Sequence, residues 1–483
     1  MAHHKVQVLI IGAGISGIGA GIRLLEAGFT DFVILEKGAE PGGTWRDNTY
    51  PGCACDVPSH LYSYSFEQKP DWTRVFANQP EILDYVRGTA AKYNILPHIR
   101  FNQPAEHAQW NEAAGHWVVR SPAQTYHATT VIACSGYLHE PIVPNLPGLK
   151  EFPGTLFHSS RWNHAHDLSG ERIAVIGTGA SAIQFVPKVQ PLASKLHVYQ
   201  RTAQWVLPKG NARVSDAAKA ILRRPWALNL WRQMLFLGFE SFGIGFRHPA
   251  LLKQAQKIGL SHLKRQVKNP ELRAKLTPDY ILGCKRTLMS NDYYRSLTRD
   301  NAEVLATGVK EVRGKTVVGI DGSEREVDTI ILGTGFYVTE QPIAQRIHDA
   351  QGRTLSDLWR DGMQAYRGTT IAGLPNLFMV LGPNLDIGHN SAFVVIEAQL
   401  QYIMSALKQM RAKGLGRFEV SAQVQSAYNK VVQRDLQQTV WNTGGCYSYY
   451  LDKNGFNSIG VPWSTLKMRG LLNRFDIENY QTR

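Results

Sequence analysis

Residues 6–11 read Val-Gln-Val-Leu-Ile-Ile, a short apolar run of the kind buried on both faces of a parallel sheet. Gly12-Ala13-Gly14-Ile15-Ser16-Gly17 follows at once. A helix-like stretch from Ile18 to Ala27 comes next, then a second apolar run from Phe32 to Leu35 that ends in Glu36. The order recurs downstream. Residues 172–176 predict a strand, Gly177-Thr178-Gly179-Ala180-Ser181-Ala182 a turn into a helix, and residues 196–199 the next strand, ending in Gln200-Arg201-Thr202. Residues 130–136 and 328–335 are further apolar strands closing on small-residue turns, the form that lines the crevice at the carboxyl edge of an open α/β sheet. Residues 375–382 predict a last apolar strand, and residues 396–409 a helix packed near it. Residues 217–224 and 251–266 carry helical periodicity of their own.

These patterns predict an α/β protein with two Rossmann-like dinucleotide-binding domains and a helical insertion in the second. In the first glycine loop, Gly12 permits the tight turn, Gly14 lets backbone approach a pyrophosphate, and Gly17 lets helix pack on strand. The following helix N-terminus offers N–H groups to phosphate, and Glu36 can accept from ribose hydroxyls. In the second loop Ala182 stands for the third glycine, as the fingerprint allows. No acid ends the next strand; Arg201 does. A carboxylate there would repel a 2′-phosphate, whereas a guanidinium binds it with two parallel bonds. Charge-assisted bonds of roughly 1.5–3 kcal/mol would favour NADPH over NADH about 10- to 100-fold. The first loop therefore suits FAD and the second NADPH, which together imply a flavin enzyme reduced by a nicotinamide. The plainer alternatives are a glycine-rich turn in an unrelated α/β unit and a surface arginine.

Composition narrows the choice. The chain has 483 residues, 43% hydrophobic and 19% charged, which excludes global disorder. Its net charge of +14 could serve nucleic acid, an anionic membrane or phosphorylated ligands. The charge is uneven: residues 213–275 hold thirteen Lys/Arg and three Asp/Glu, a net of +10, leaving +4 for the rest. That places a basic helical insert on a near-neutral enzyme and speaks against a nucleic-acid partner. Residues 226–246 are the most membrane-like stretch, but Arg232 and Glu240 interrupt it, each costing about 2.5–3.5 kcal/mol at a bilayer centre, so no transmembrane span is expected. Trp226, Trp231, Phe236 and Phe239 read as the core of the insert, with a weak amphipathic contact to anionic lipid as the alternative.

No secretion signal is visible at the N-terminus, and five cysteines are few and odd in number. Both suit a reducing cytoplasm without a disulfide framework. No Cys/His spacing suggests a metal site. A pyridine-nucleotide disulfide reductase would need a redox cysteine pair near the flavin, and Cys53 and Cys55 stand too close for a cycling disulfide.

Residues 152–163 read Phe-Pro-Gly-Thr-Leu-Phe-His-Ser-Ser-Arg-Trp-Asn. This resembles the fingerprint of class B flavoprotein monooxygenases, and within them of Baeyer–Villiger monooxygenases: F-x-G-x-x-x-H-x-x-x-W, then Pro or Asp. Phe152, Gly154, His158 and Trp162 match; Asn163 departs. Two more segments resemble the family: Gly42-Gly43-Thr44-Trp45 with Tyr50-Pro51-Gly52 and Asp56, and Cys284-Lys285-Arg286 with Asp292-Tyr293-Tyr294. The likeness continues to residues 444–450, nearly the whole chain.

The resemblance implies FAD, NADPH (retained as NADP+), O2 and a small-molecule ketone, which a C4a-peroxyflavin converts to an ester or lactone. A peroxy anion needs a fixed positive charge, which guanidinium supplies without titrating. Arg286 matches the catalytic arginine and Asp56 the carboxylate that positions it; a second phosphate-binding cation and a turn residue are the plainer alternatives. Gly12, Gly14, Gly17, Glu36, Thr44, Trp45 and Tyr62 fall to the flavin. Gly177, Thr178, Gly179, Ser181, Arg201, Thr202 and Lys285 fall to NADPH. Tyr449 lies in a segment resembling the loop that closes on nicotinamide, where the family often has Trp. His158 and Trp162 are expected to couple domains, and His389 to be a core or capping residue.

The expected organisation is an FAD domain at 1–140 and 337–483, a linker with the fingerprint at 141–167, an NADPH domain at 168–209 and 283–336, and a helical insertion at 210–282. Residues 137–167 form a natural hinge. The competing reading keeps the cofactors and oxygenates nitrogen or sulfur in an amine or sulfide. Asp56 with Arg286 speaks against it, since soft nucleophiles attack a protonated hydroperoxide and need no such pair.

Overall fold

The computed structural model describes residues 3–483. The chain starts with β1 (His3–Ile11), α1 (Ile15–Glu26) and β2 (Phe32–Leu35), all where the apolar pattern places them. A single turn, α2 (Thr44–Asp47), and α3 (Gln79–Lys92) precede β3 (Ile99–Arg100), β4 (His107–Asn111), β5 (His116–Arg120) and β6 (Thr125–Ala133). The chain then enters β7 (Thr155–His158), β8 (Arg172–Ile176), α4 (Ala182–Val189) and β9 (Lys195–Tyr199). Four helices follow without a strand of either main sheet: α5 (Asp216–Leu222), α6 (Pro225–Arg247), α7 (Pro249–Gln266) and α8 (Pro270–Lys275). After β10 (Ala302–Leu305) and β11 (Thr329–Leu332) come β12 (Ile347–His348), β13 (Leu377–Met379), α9 (Ala392–Lys413) and α10 (Thr465–Leu471).

Two main sheets result, beside three small ones of two or three strands. The first has eight strands in the order β12-β4-β5-β6-β1-β2-β3, with β13 also on β6. β6 pairs with β1 along one side and is long enough to serve two neighbours on the other: its start pairs antiparallel with β5 and its end parallel with β13. The chain thus crosses back to the first sheet after β11. The second sheet has five parallel strands, β10-β9-β8-β11-β7. Each contains the same device, a parallel strand feeding a glycine turn and a helix. In both, the turn lies between the carboxyl ends of two flanking strands, where ligands bind in open α/β sheets.

Two expectations change here. Residues 155–158 of the fingerprint are not a free linker. They form β7, an edge strand of the second sheet registered residue for residue on β11. Backbone pairing is available there because β11 would otherwise be an open edge. Second, Trp226 and Trp231 are not core: they are 64% and 37% exposed, while Phe236 is buried and Phe239 half-buried. All four are apolar, so composition could not separate them; α6 turns only one side to the protein.

Candidate active site

The cleft at β1–α1 is shaped by backbone crowding. Gly12 has φ +102°, and a Cβ there would sit 2.7 Å from the Cys134 carbonyl oxygen at the end of β6. A Cβ on Gly17 would strike the Gly12 carbonyl oxygen at 1.8 Å, so Gly17 serves packing, not ligand contact. No side chain caps α1 at Gly14, which leaves its first N–H groups to a ligand. Gly12, Gly14, Glu36, Thr44, Trp45 and Tyr62 line one cavity. Glu36 is buried and also holds the loop: it accepts from Ala13 N (2.8 Å), Gly38 N (2.7 Å) and Arg46 Nη1 (2.7 Å). Arg46, which sequence reading missed, is thus fixed over the cleft. Trp45 Nε1 donates to the Tyr62 hydroxyl at 3.1 Å, and burial pushes that hydroxyl's pKa up.

At the second turn, Gly177 has φ +110° and a Cβ would lie 2.3 Å from the Gly333 carbonyl oxygen, whereas Gly179 faces open space. Thr178 is buried beside it and Ser181 opens α4. Arg201 and Thr202 follow β9, Arg201 exposed and Thr202 half-buried. Lys285 comes close to Arg201 from a segment 84 positions later in the chain. Burial, and then the charge of Arg201, lower the Lys285 pKa. Among the described residues no carboxylate is ion-paired to either cation, although Asp279 pulls the Lys285 pKa the other way; two neighbouring positive groups are the arrangement a phosphate dianion would neutralise.

Arg286 and Asp56 meet between the two sheets. Arg286 donates from Nε to Oδ2 (2.9 Å) and from Nη2 to Oδ1 (2.8 Å) and Oδ2 (2.7 Å). Asp56 holds the guanidinium pKa above its already high value. The Tyr449 hydroxyl is a further neighbour of the Arg286 guanidinium. Desolvation, then the charge of Asp386, push the Tyr449 hydroxyl up to about 12, so it stays a proton donor. Tyr449 stacks on Tyr450 with centroids 4.5 Å apart.

Several residues here escape sequence reading. Lys209 donates from Nζ to the Cys55 carbonyl (3.2 Å), and burial lowers its pKa against the opposing pull of Asp56. Asp386 lies in the loop from which the sequence reading takes only His389. Gln184 on α4 accepts from the Tyr50 hydroxyl (3.0 Å) and Ala54 N (3.2 Å) and donates to Ala54 O (3.0 Å). It clamps the segment before Asp56 onto the second sheet's helix. Only the Asp386 loop, with its glycine-rich flanks, carried a local signal.

Curated relatives span the whole chain. A Baeyer-Villiger monooxygenase of Streptomyces coelicolor is 44% identical over 99% of this chain and 93% of its own. One of Pseudomonas aeruginosa is 45% identical over 99% and 92%. The chain belongs to the Baeyer–Villiger monooxygenases. Among solved structures, cyclohexanone monooxygenase from Rhodococcus sp. Phi1 bound to NADP+ is similar with a TM-score of 0.87 at 27% identity, over 100% of both chains. The fingerprint reading thus holds for this monooxygenase, and the nitrogen- or sulfur-oxygenating alternative is not favoured.

Residues 9–225 also match the family described as pyridine nucleotide-disulphide oxidoreductase. What this Baeyer–Villiger monooxygenase shares with it is the dinucleotide fold. Cys53 and Cys55 are buried and unbonded; burial pushes the Cys53 thiol up to about 12 and Cys55 higher still, so neither is a ready thiolate. The expected absence of disulfides is overturned elsewhere: Cys284 and Cys446 are bonded, with Cα atoms 6.1 Å apart. Sequence spacing of 162 residues hides the pair, which only the fold brings together. The bond ties the residue two before Arg286 to the segment carrying Tyr449, and it removes the cysteine-based reason for a reducing compartment. Among the described residues no helix is long and apolar enough to cross a membrane.

The remaining family residues are structural in their contacts. His158 is buried, with Nδ1 accepting from Ser160 N (3.1 Å) and its ring against Phe336. Trp162 packs on Phe157 and Phe185. His389 is buried with Nε2 3.3 Å from Glu240 of α6.

Proposed function

We propose that this enzyme binds FAD in the β1–α1 cleft and NADPH at the β8–α4 turn, and inserts one oxygen atom of O2 beside the carbonyl of a small-molecule ketone, giving an ester or lactone. In domain terms, residues 1–140 and 337–483 hold the flavin, 168–209 and 283–336 the nicotinamide nucleotide, and 141–167 couples the two, with β7 inside it belonging to the second sheet. Bound there, the cofactors supply the hydride and the activation of O2.

The chain's own residues do the rest. Glu36 offers its remaining lone pairs to the adenosine ribose, and the uncapped end of α1 receives the pyrophosphate. Arg201 and Lys285 grip the 2′-phosphate, with Thr202 beside them. Trp45 and Tyr62, locked to each other, wall the flavin site and exclude water. The observation that carries the reading is the Arg286–Asp56 pair. Attack on a carbonyl gathers negative charge on oxygen, and a guanidinium held by a bidentate carboxylate meets that charge without titrating. Tyr449, kept protonated, can donate to the same region.

The test is product analysis on purified flavin-loaded protein with NADPH, a panel of linear, cyclic and aryl ketones, and a sulfide control. Esters or lactones are expected. Inert ketones with efficient sulfoxidation would replace this reading with sulfur oxygenation.

A further inference from the structure

Helix α6 is built with its polarity reversed. Its two mid-helix charges point inward. Arg232 is buried and donates to His60 O (2.9 Å), Ser63 Oγ (3.1 Å) and Ser63 O (2.9 Å). Glu240 is buried, accepts from Thr465 N of α10 (2.9 Å) and pairs with His389. The side left to solvent is mainly apolar, with exposed Ser241 inside it and Asn229 and Gln233 along its edge. Trp226, Leu230, Met234, Leu237 and Ile244 are 42–64% exposed. At the α-helical period they fall within an arc of about 80°. Single exposed apolar residues are ordinary, but five on one arc, interrupted only by Ser241, mark an interaction surface. Of the twenty large apolar side chains exposed among the described residues, ten lie between Ile221 and Leu260.

The same stretch carries the chain's charge. Residues 213–275 have a net charge of +10, and the inward Arg232 and Glu240 cancel in that sum. Arg223 and Arg224 are exposed just before α6. Helix α7, joined to α6 through His248 alone, exposes Lys253, Lys257 and Lys264 and contains no acid. The surface is therefore an apolar row with cations at its flank.

That combination selects among occupants. A second copy would set one +10 segment against another across a two-fold interface. Nucleic acid would meet the cations but leave the apolar row without a partner. An anionic bilayer satisfies both: apolar side chains sink below the headgroups while Lys and Arg stay with the phosphates. We propose that the exposed face of α6, flanked by α7, docks this enzyme onto an anionic lipid surface, with α6 lying in the membrane plane.

The test uses the full-length, FAD-loaded enzyme with vesicles of phosphatidylcholine alone or mixed with phosphatidylglycerol. Co-sedimentation with the anionic vesicles is expected, about tenfold above neutral ones and falling with added salt, with a blue shift of tryptophan emission from Trp226 and Trp231. The triple variant Trp226→Ser, Leu230→Ser, Leu237→Ser should lose binding while NADPH-driven flavin reduction is unchanged. Lys253→Glu with Lys257→Glu and Lys264→Glu should weaken it. Absence of binding to anionic vesicles, or equal binding by the triple variant, overturns the proposal. So does a wild-type dimer that the triple variant dissolves, if the wild type ignores vesicles.

Discussion

Arg286 and Asp56 stand 230 positions apart in sequence and meet through three donor–acceptor contacts of 2.7–2.9 Å. The pair joins the loop after α2 to the segment after the insertion.

Removing the guanidinium should separate reduction from oxygenation. Arg286→Ala is expected to lower ester formation about 100- to 1,000-fold, the scale of a lost oxyanion donor. NADPH-driven flavin reduction, followed by stopped-flow absorbance, should stay within about threefold. Arg286→Lys keeps charge but loses the fork, and should not restore activity. Ester formation near the wild-type rate in Arg286→Ala would remove this residue from the chemistry.

Arg201 and Lys285 should set coenzyme choice. Losing a charge-assisted contact in Arg201→Ala should raise the KM for NADPH about 10- to 100-fold and leave that for NADH alone. Lys285→Ala should act in the same direction, since the two cations share one space. Wild-type flavin reduced equally fast by both coenzymes would contradict the assignment.

His158 should contribute to acid sensitivity. Burial, reinforced by Arg161, lowers its pKa from 6.5 to about 4. The unfolded chain takes up this proton at higher pH than the folded one. Stability from the neutral ring is therefore complete above pH 6.5 and lost as pH falls towards 4. The loss by pH 4.5 is about 2–3 kcal/mol. His158→Asn offers an oxygen to Ser160 N in place of Nδ1. Urea unfolding at pH 7 and 4.5 should show a smaller difference in this variant than in wild type; an unchanged difference would refute the role.

The Cys284–Cys446 bond is checked by counting thiols. Protein denatured without reductant should titrate three, from Cys53, Cys55 and Cys134, and five after reduction. Cys446→Ser should cost about 2–4 kcal/mol in denaturant unfolding. Five thiols before reduction would mean the bond does not form in solution.

Local chemistry made much of this enzyme legible before folding. Apolar runs at 6–11, 32–35 and 172–176 became β1, β2 and β8 because a strand buried on both faces needs consecutive apolar residues. Gly12 and Gly177 announced their turns because only glycine tolerates φ near +100° against a carbonyl. The fingerprint pointed to the family, since its residues lie within twelve positions of each other.

Folding alone decided what depends on distance across the chain or on direction. Gln184 clamping Ala54, Lys209 on Cys55 and Cys284 on Cys446 join segments more than 100 positions apart, and no spacing rule encodes such meetings. Trp226 and Phe236 are both large and apolar on one helix, yet one faces water and the other the core. Hydrophobicity says that a side chain gains by burial; which side of a helix finds a partner is settled only when the neighbouring elements arrive.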